Sequence, residues 1–568
     1  GYVFPHNGNM DYEYSAGMDL KYGINESFTL DMILIPDFGQ KKSDETVLNL
    51  SPYEVKYSEK RQFFTEGTEL FNKAGLFYSR RIGDEPTNYS QVEQNLEPGE
   101  KIVENPQEAN LINATKISGR NKNGLGFGFF NATTGKTHAR IKDSIGNEEK
   151  IITQPVTNYN LMVVDKNFGQ HSYANFINTN YLQPSTGQLE NVLGSAYKIS
   201  DKSNNYAIWG DAAYSMQKDS SSGDLTTGQA IDASMGKVSG RLKANYNLKL
   251  LTDTYDHNAL GYLRKNNELT QTLHFDYGMY EPSGILLNWN SSLTVEYKSL
   301  YEPRKFSDFN IQGNYRLTFK NHLYVGGGFH YRPVEQHDFF EPRVKGEVFD
   351  RPEYFDCNIW ISSDYSKPLA LDIRSGYSKE FGDGYFYSIS PRIRIGDKML
   401  IVYEFRYDIQ MNEKGYVTQY ASENNNIIFG RRENQTFTNS LNTSFIFNNK
   451  SWISLDARHY WSQIDYDKFY NLQDDGSLIH NNSFSENKDF NYNVFTIDLM
   501  YSWNFAPGSF LKLVWKNNVY EREYISNNNF YNFVENLENT LNSEKAQNSF
   551  SVKITYYLDY KYLFNKSN

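Results

Sequence analysis

The stretch FSVKITYYLDYK, residues 550–561, alternates apolar and polar side chains along its length. One set of alternate positions carries large apolar or aromatic side chains, namely Phe550, Val552, Ile554, Tyr556, Leu558 and Tyr560. The intervening set is mostly polar or charged, namely Ser551, Lys553, Thr555, Tyr557, Asp559 and Lys561. Successive side chains of a β-strand point to opposite faces, so this period of two predicts a strand with one apolar face.

The same alternation recurs along the chain in runs of roughly 9–13 residues, the length of a tilted strand that crosses a membrane. The clearest further runs are residues 242–250, 369–377, 399–408, 453–461 and 495–504. We expect about 20 to 26 such strands, and an even number, as is usual in bacterial single-chain barrels. The pattern therefore predicts an all-β fold, a large transmembrane antiparallel β-barrel.

Composition separates this prediction from two alternatives. A soluble β-sandwich also alternates, but many long strands would require a large aliphatic core. Here 45 Tyr and 38 Phe bring aromatic residues to 16% of the chain, while all hydrophobic types together reach only 39% and the mean hydropathy is −0.67. A helical membrane protein is excluded because no run approaches the ~18 continuous apolar residues of a spanning helix.

Charge and cysteine usage exclude further classes. The net charge of −11 argues against a nucleic-acid partner, which would require a basic surface. Cys357 is the single cysteine, so the chain cannot contain an intramolecular disulfide. The opening residues GYVFP have neither the basic nor the apolar region of a signal peptide, so we expect a mature or partial product.

The connections between predicted strands alternate in length, as in outer-membrane barrels. Short links that we expect on the periplasmic side are residues 396–397, 447–450 and 506–509. Long polar stretches that we expect outside the cell are residues 217–227, 334–353, 463–491 and 522–547.

Residues 37–110 do not fit the strand pattern, because they carry Pro, Gly and charge clusters. We therefore divide the chain into an N-terminal segment with the first strands (1–36), an irregular plug or cap (37–110) and the remainder of the barrel (111–568). A long loop on one rim is the alternative interpretation of residues 37–110.

The densest charge group beside aromatic residues lies in this irregular segment, and we expect it to form a polar network in the lumen or plug. Its predicted members are Glu59, Lys60, Arg61, Glu66, Arg80, Arg81 and Arg120. One interpretation is a constriction or latch in which Arg pairs with carboxylates across a lumen. The other, which we favour, is a structural network of ion pairs.

Charges at alternate positions of the predicted strands should face the lumen, because a charge facing lipid is costly. The predicted lumen-facing charges are Asp372, Arg374, Glu404, Arg406, Asp456 and Arg458. Since their signs are mixed, the sequence predicts no strong ion selectivity. No catalytic, cofactor-binding or metal-binding residue is predicted. The isolated His459 and the tryptophans, Trp461 among them, are interpreted as anchors at the level of the lipid headgroups.

Several further segments form a characteristic series, namely IPDFGQ (35–40), VLNL (47–50), EKRQFFTEG (59–67), LFYSRRIG (76–83), ATKISGR (114–120), GYLR (261–264) and FGRR (429–432). This series resembles a Bacteroidota-type outer-membrane β-barrel family of unknown function. In that family a carbohydrate-binding family-nine-like domain typically precedes the barrel, and we expect that domain to be absent here. The family usually has Pro where Gln62 stands. The resemblance implies a multi-pass barrel in the cell outer membrane.

The leading functional hypothesis is a channel or gated transport barrel of unknown cargo. The alternative is a structural or accessory subunit with a filled lumen, and a hydrolase site at the rim is a weaker third. We expect no enzymatic activity, no cofactor and no nucleic-acid partner. The expected partners are outer-membrane lipid and lipopolysaccharide, other envelope proteins, and the barrel assembly machinery. The run 556–564 resembles the C-terminal signal which that machinery recognises.

Overall fold

The computed structural model describes residues 2–6, 9–13, 16–34, 42–219, 222–420, 426–525 and 530–558. Within these ranges the chain forms 31 β-strands and three α-helices. The helices are α1 (Gln62–Thr65), α2 (Tyr89–Gln94) and α3 (Phe533–Leu541). No helix in the described ranges is both long enough and apolar enough to cross a membrane.

The first half of the strands contains short strands at the start of the chain and longer ones later. They are β1 (Tyr2–His6), β2 (Asn9–Glu13), β3 (Met18–Gly23), β4 (Phe28–Leu34), β5 (Lys101–Glu104), β6 (Leu111–Arg120), β7 (Leu125–Thr134), β8 (Thr137–Lys142), β9 (Glu148–Gln154), β10 (Thr157–Phe168), β11 (Ser172–Gln183), β12 (Gln188–Ser200), β13 (Tyr206–Lys218), β14 (Leu225–Lys237), β15 (Leu242–Leu251) and β16 (Glu268–Met279).

The second half includes three strands of more than 20 residues. They are β17 (Leu286–Ser299), β18 (Phe306–Phe319), β19 (Tyr324–Arg332), β20 (Gln336–Asp338), β21 (Phe349–Arg351), β22 (Tyr354–Ser362), β23 (Leu369–Lys379), β24 (Asp383–Ile395), β25 (Met399–Tyr420), β26 (Asn426–Asn448), β27 (Ser451–Leu472), β28 (Leu478–His480), β29 (Phe490–Ala506), β30 (Ser509–Tyr524) and β31 (Gln547–Thr555).

Twenty-six of these strands belong to one large sheet in which every recorded pairing is antiparallel. From β6 onward, strands that follow one another in this sheet pair as neighbours, apart from the short β28, which pairs only with the end of β27. At the far end β31 pairs with β1, and β1 pairs with β2. The hairpin β20–β21 and the three-stranded sheet β5–β8–β9 lie outside the large sheet. The predicted all-β fold with a large antiparallel sheet is confirmed.

The connections of the large sheet differ between its two ends. At one end, which we call the short-connection end, the links include residues 121–124, 320–323, 396–398, 449–450 and 507–508. At the other, the long-connection end, they include residues 42–110, 135–156, 252–267, 333–353 and 530–546. The connections predicted to be short and long therefore lie at opposite ends of the sheet.

The two faces of the large sheet have opposite chemistry at β22. We call the face that residues 42–83 touch the inner face, and the opposite one the outer face. In β22 the outer positions carry Phe355, Cys357, Ile359 and Ile361, and the side chains of Ile359 and Ile361 are 46% and 40% exposed. The inner positions of β22 carry polar Asp356 and Asn358 next to Trp360. A soluble sheet would instead bury its apolar face.

The irregular segment divides into two parts in the structure. Residues 42–83 lie on the inner face of the large sheet. Residues 84–110 contain α2 and β5, which accompany the β8–β9 hairpin at the long-connection end. There Val92 of α2 packs on Ala139 and Ile141 of β8 in a small separate apolar cluster.

One long connection folds back over the outer face. The ring of Phe533 in α3 lies 5.9 Å from His459, 6.3 Å from Trp461 and 5.8 Å from Phe437, measured between centroids. His459 and Trp461 are consequently only 4% and 1% exposed. Both residues do occupy outer-face positions, but the interpretation of them as exposed headgroup anchors is wrong, because α3 covers them.

Candidate functional site

Residues 42–83, which we call the inner segment, touch two distant parts of the large sheet. The beginning of the segment contacts β27, β29 and β30, and its later part packs on β6, β7 and β10 to β14. Because these strands are far apart in the order of the sheet, the segment spans the space in front of the inner face.

Polar contacts hold the beginning of the inner segment to β27 and β29. Lys42 Nζ lies 2.7 Å from Asp456 Oδ2. Ser43 donates to the carboxylate of Asp498 from its backbone N–H, at 2.6 Å, and from its hydroxyl, at 2.9 Å. Arg458 Nη1 donates to the carbonyl oxygen of Thr46 at 2.7 Å. Two of the charges predicted to face inward, Asp456 and Arg458, therefore bind this segment.

Glu59 and Arg61 form the most buried ion pair within the inner segment. Arg61 Nε and Nη2 lie 2.8 and 2.7 Å from the Glu59 carboxylate, and the Ser79 hydroxyl donates to it at 2.7 Å. The Arg61 side chain is only 7% exposed and also donates to the carbonyl oxygen of Ile82 at 2.6 Å. Burial alone would raise the pKa of Glu59, but the Arg61 guanidinium and the Ser79 hydroxyl lower it to about 2.

The other predicted network residues form separate groups. Lys60 lies 3.5 Å from Asp44, and Arg80 pairs with the same carboxylate. Arg81 binds Glu54 through both terminal nitrogens, at 2.8 and 2.7 Å, and donates from Nε to the carbonyl oxygen of Gly261 at 3.0 Å. The inner segment is thus folded on itself by ion pairs between its first and last thirds.

Glu66 and Arg120 lie at the edge of this arrangement. Glu66 accepts a hydrogen bond from Gln62 at 2.7 Å, and its carboxylate lies 3.6 Å from Lys21 of β3. Arg120 of β6 lies 2.5 Å from Asp165 of β10. The seven residues predicted as one network are therefore distributed over several ion-pair groups rather than joined in one cluster.

An apolar contact holds the later part of the inner segment to the sheet. Phe130 of β7 is surrounded by Phe63, Phe64, Phe71 and Phe77, with ring centroids 6.4, 6.0, 6.2 and 5.4 Å away. Aromatic pairs at such separations stabilise a structure by about 0.5–1.5 kcal/mol each beyond their buried area. The inner segment consequently covers this part of the inner face.

Leu76 packs where Gly194 of β12 leaves space. A Cβ atom at Gly194 would lie 2.3 Å from Leu76 Cδ1, which is closer than such atoms can approach. Leu76 is 1% exposed and belongs to the same apolar cluster as Phe130. The absence of a side chain at residue 194 is therefore needed for this contact.

Two cavities at the long-connection end lie on either side of residues 48–53. One, of about 400 Å³, is lined by Leu48 to Tyr53 and by charged residues of β25, β26 and the 333–353 connection. Its arginines on β26 and β21 are paired: Arg432 lies 2.7 Å from Glu413, and Arg351 lies 2.8 Å from Glu380. A movement of residues 48–53 would alter this cavity.

The second cavity, of about 670 Å³, is lined by both aromatic and basic side chains. Arg264 separates the two cavities together with Tyr53, and its guanidinium carbon lies 4.3 Å from the centre of the Tyr53 ring. Lys265 lies 5.1 Å from the centre of the Phe340 ring on the same wall. The inner segment therefore forms part of the lining of both openings at this end.

The remaining predicted inward charges occupy inner-face positions and bond to neighbours in the sheet. Both oxygens of Asp372 accept from the Tyr365 hydroxyl at 2.7 Å. Glu404 accepts from the Ser388 hydroxyl at 3.0 Å, and Arg406 lies 2.6 Å from Asp408. Arg374 is solvent-exposed on the inner face of β23.

One group of side chains could hold a metal ion in the described part of the chain. Donor atoms of Glu335, His337 and Asp350 lie within 4.8 Å of one another. His337 Nδ1 is hydrogen-bonded to Asp350 Oδ1 at 2.6 Å, because the β20–β21 register places these residues opposite each other. The sequence analysis did not identify this group, since only the pairing of β20 with β21 brings its members together.

No curated protein matches the chain. A protein-family comparison finds one match, and it extends over residues 1–567. The chain therefore belongs to the family described as a domain of unknown function (DUF5916).

Proposed function

We propose that the chain is a β-barrel of a Gram-negative-type outer membrane, and that it acts as a channel or gated transport barrel in which the inner segment occupies part of the lumen. The reversed polarity of β22 carries this proposal. Apolar Ile359 and Ile361 are exposed on the outer face, whereas polar Asp356 and Asn358 lie on the inner face beside Trp360. This arrangement suits lipid outside and water inside.

The pairing directions support closure of the sheet into a barrel. All strands of the large sheet except β28 form one antiparallel series from β2 to β3. In this series β2 and β3 run in the same direction, and only residues 14–17 separate them in the sequence. If β2 and β3 are two parts of one strand of the barrel, they count once. With β28 also left out, the 26 strands then give a ring of 24. That number is even, as expected for such barrels.

A water-accessible part of the inner face supports passage of a solute beside the inner segment. Several polar side chains at inner-face positions of β18, β22 and β23 are exposed, namely Gln312, Asn314, Arg316, Asn358 and Arg374. Leaving these groups dry and unpaired would be costly, so this half of the lumen should contain water. The long connections would face outward and the short ones the periplasm.

The second candidate function is a structural or accessory subunit with a closed lumen. The aromatic cluster around Phe130 and the polar contacts of Ser43 favour it, because both fix the inner segment firmly to the wall. The two functions differ in whether the space beside the segment continues from one end of the barrel to the other.

Single-channel recording of the refolded full chain in planar bilayers distinguishes the two. We expect stable conductance steps from the intact chain, or from a variant in which Arg458→Met and Asp498→Ala weaken the hold on the inner segment. Heat-modifiable migration in gels would first establish that each protein is folded. Silence of both folded proteins would overturn the transport proposal and favour the structural subunit.

A further inference from the structure

A basic area lies on the inner face near the short-connection end. Four arginines form it: Arg316 of β18, Arg374 of β23, and Arg392 and Arg394 of β24. Each lies within five residues of the short-connection end of its strand. Arg316, Arg374 and Arg394 are solvent-exposed. We call this group the arginine patch.

Strand register places two of these arginines in one row with a tryptophan. Arg316 pairs with Gly326, Gly326 with Trp360, and Trp360 with Arg374. The indole ring covers Gly326, where a Cβ atom would lie 2.4 Å from the ring. The guanidinium carbon of Arg316 lies 6.0 Å from the ring centre. The row therefore places Trp360 between two arginine positions, with Arg374 on the next strand and Arg316 two strands away on the other side.

The arginine patch differs in its ion pairing from several other cations of the inner face. Lys298 lies 2.5 Å from Glu296, and Arg406 lies 2.6 Å from Asp408. In the part of the chain that the structure describes, none of the four guanidinium groups of the patch lies within 4.0 Å of a carboxylate oxygen.

The carboxylates in the same part of the wall are already hydrogen-bonded. Asp372 accepts from Tyr365, and Glu404 accepts from Ser388. Arg392 lies over the Tyr365 ring, 4.8 Å from its centre, and its buried Nε has no hydrogen-bond partner. The four arginines outnumber these two carboxylates, so an excess of positive charge lies here in a chain whose net charge is −11.

We propose that the arginine patch binds solutes that carry carboxylate or phosphate groups, and that it makes the passage selective for anions. This inference rests on the proposed function, since it assigns a solute class to the same lumen. A guanidinium group matches such oxyanions through paired N–H donors, and it does so best when no carboxylate already occupies it. Rings of Arg or Lys serve anion-selective pores in this way. This inference replaces the expectation that the lumen has no strong ion selectivity. The sequence alone could not show which charges have a partner of opposite sign, because that depends on the register between neighbouring strands.

Equilibrium binding tests the arginine patch without requiring conductance. Citrate, as the carboxylate probe, and pyrophosphate, as the phosphate probe, are titrated calorimetrically into the full chain in detergent. The variant is Arg316→Gln with Arg374→Gln, and the matched control is Lys298→Gln, an inner-face cation that has a carboxylate partner. We expect the variant to weaken binding of at least one probe by about tenfold, as for loss of charge-assisted hydrogen bonds, and the control to leave it unchanged.

Reversal potentials in a KCl gradient provide the second measurement. The intact chain should prefer chloride to potassium, and the variant should lose most of that preference. Conductance without anion preference, or equal binding of both probes by intact chain and variant, would overturn this inference and leave the channel proposal standing. A protein that binds the probes through the patch but never conducts would instead count against the channel. That result would support an anion-binding structural barrel.

Discussion

Arg458 of β27 donates a hydrogen bond from Nη1 to the carbonyl oxygen of Thr46, 2.7 Å away, although 412 residues separate the two in the sequence. The guanidinium group also lies 4.9 Å from the centre of the Tyr460 ring. A wall charge is thus used to hold the backbone of the inner segment. Because a hydrogen bond breaks more readily than a packed core, this end of the segment should release before the end around Phe130.

Substituting Arg458→Met should loosen the beginning of the inner segment while retaining most of the side-chain volume. A hydrogen bond from a charged donor contributes roughly 1.5–3 kcal/mol, so local opening should become about tenfold or more frequent. Limited proteolysis in detergent, with the cleavage sites mapped, would report this as faster cutting within residues 42–58. Arg406→Met is the matched control, since Arg406 binds Asp408 within the wall. Equal cleavage of both variants would show that Arg458 does not hold the segment.

The Glu59–Arg61 pair should make the inner segment sensitive to acid. Since the folded-state pKa of Glu59 is lowered to about 2 from its usual value of 4.5, the pair stabilises the segment above about pH 4.5, and this stabilisation is lost as the pH falls toward 2. Protease sensitivity of residues 42–83 should therefore rise over this range. An acid-stable protease such as pepsin would measure it.

The variant Glu59→Gln should lower the stability of the segment at neutral pH and reduce its dependence on pH below 4.5. The cost arises because Arg61 would remain buried without its carboxylate partner, a loss of a few kcal/mol in comparable pairs. Glu69→Gln is the control, since the Glu69 side chain is 82% exposed. If Glu59→Gln kept the full acid response of the intact chain, another group would have to cause that response.

The close approach of Leu76 to Gly194 predicts a steric effect that a second substitution relieves. Gly194→Ala should push Leu76 out of its place and detach the later part of the inner segment, because the new Cβ would lie 2.3 Å from Leu76 Cδ1. Leu76→Ala alone should cost about 2–5 kcal/mol through the cavity that it leaves. The double variant should be less damaged than the sum of the two. Thermal melting of all four proteins measures this coupling, and strict additivity would contradict the proposed contact.

The sequence was sufficient to predict the strands of the large sheet and the face on which each side chain lies, because strand alternation is a local property. Asp456 and Arg458 could be assigned to the inner face from the residues around them, without knowing which strand lies beside β27. Such local reasoning could not say what those residues bind. Their partners Lys42 and Thr46 lie about 400 residues earlier in the chain, and no local pattern specifies that pairing.

The same limit explains His459 and Trp461. Their outer-face register was predictable, but their burial was not, because the covering helix lies in a connection that the strand pattern does not describe. A signal for α3 was nevertheless present. Asn532 and Glu535 have the spacing of a capping box, and the structure contains both of its hydrogen bonds. The box marks a helix that begins at Phe533, the residue that packs on the wall.

Ile359 and Asn358 provide a matched test of which face of the sheet meets lipid. They are neighbours in β22, with Ile359 exposed on the outer face and Asn358 exposed on the inner face. A lysine on the lipid side of a barrel costs about 2–4 kcal/mol near the bilayer centre, whereas a lysine in a wet lumen is tolerated. Ile359→Lys should therefore reduce spontaneous folding into lipid vesicles, and Asn358→Lys should fold as the intact chain does. Heat-modifiable migration measures the folded fraction at increasing urea concentrations.

If both variants folded equally well in vesicles, the outer face of β22 would not be in contact with the bilayer. If only Asn358→Lys failed, the two faces would have been assigned the wrong way round.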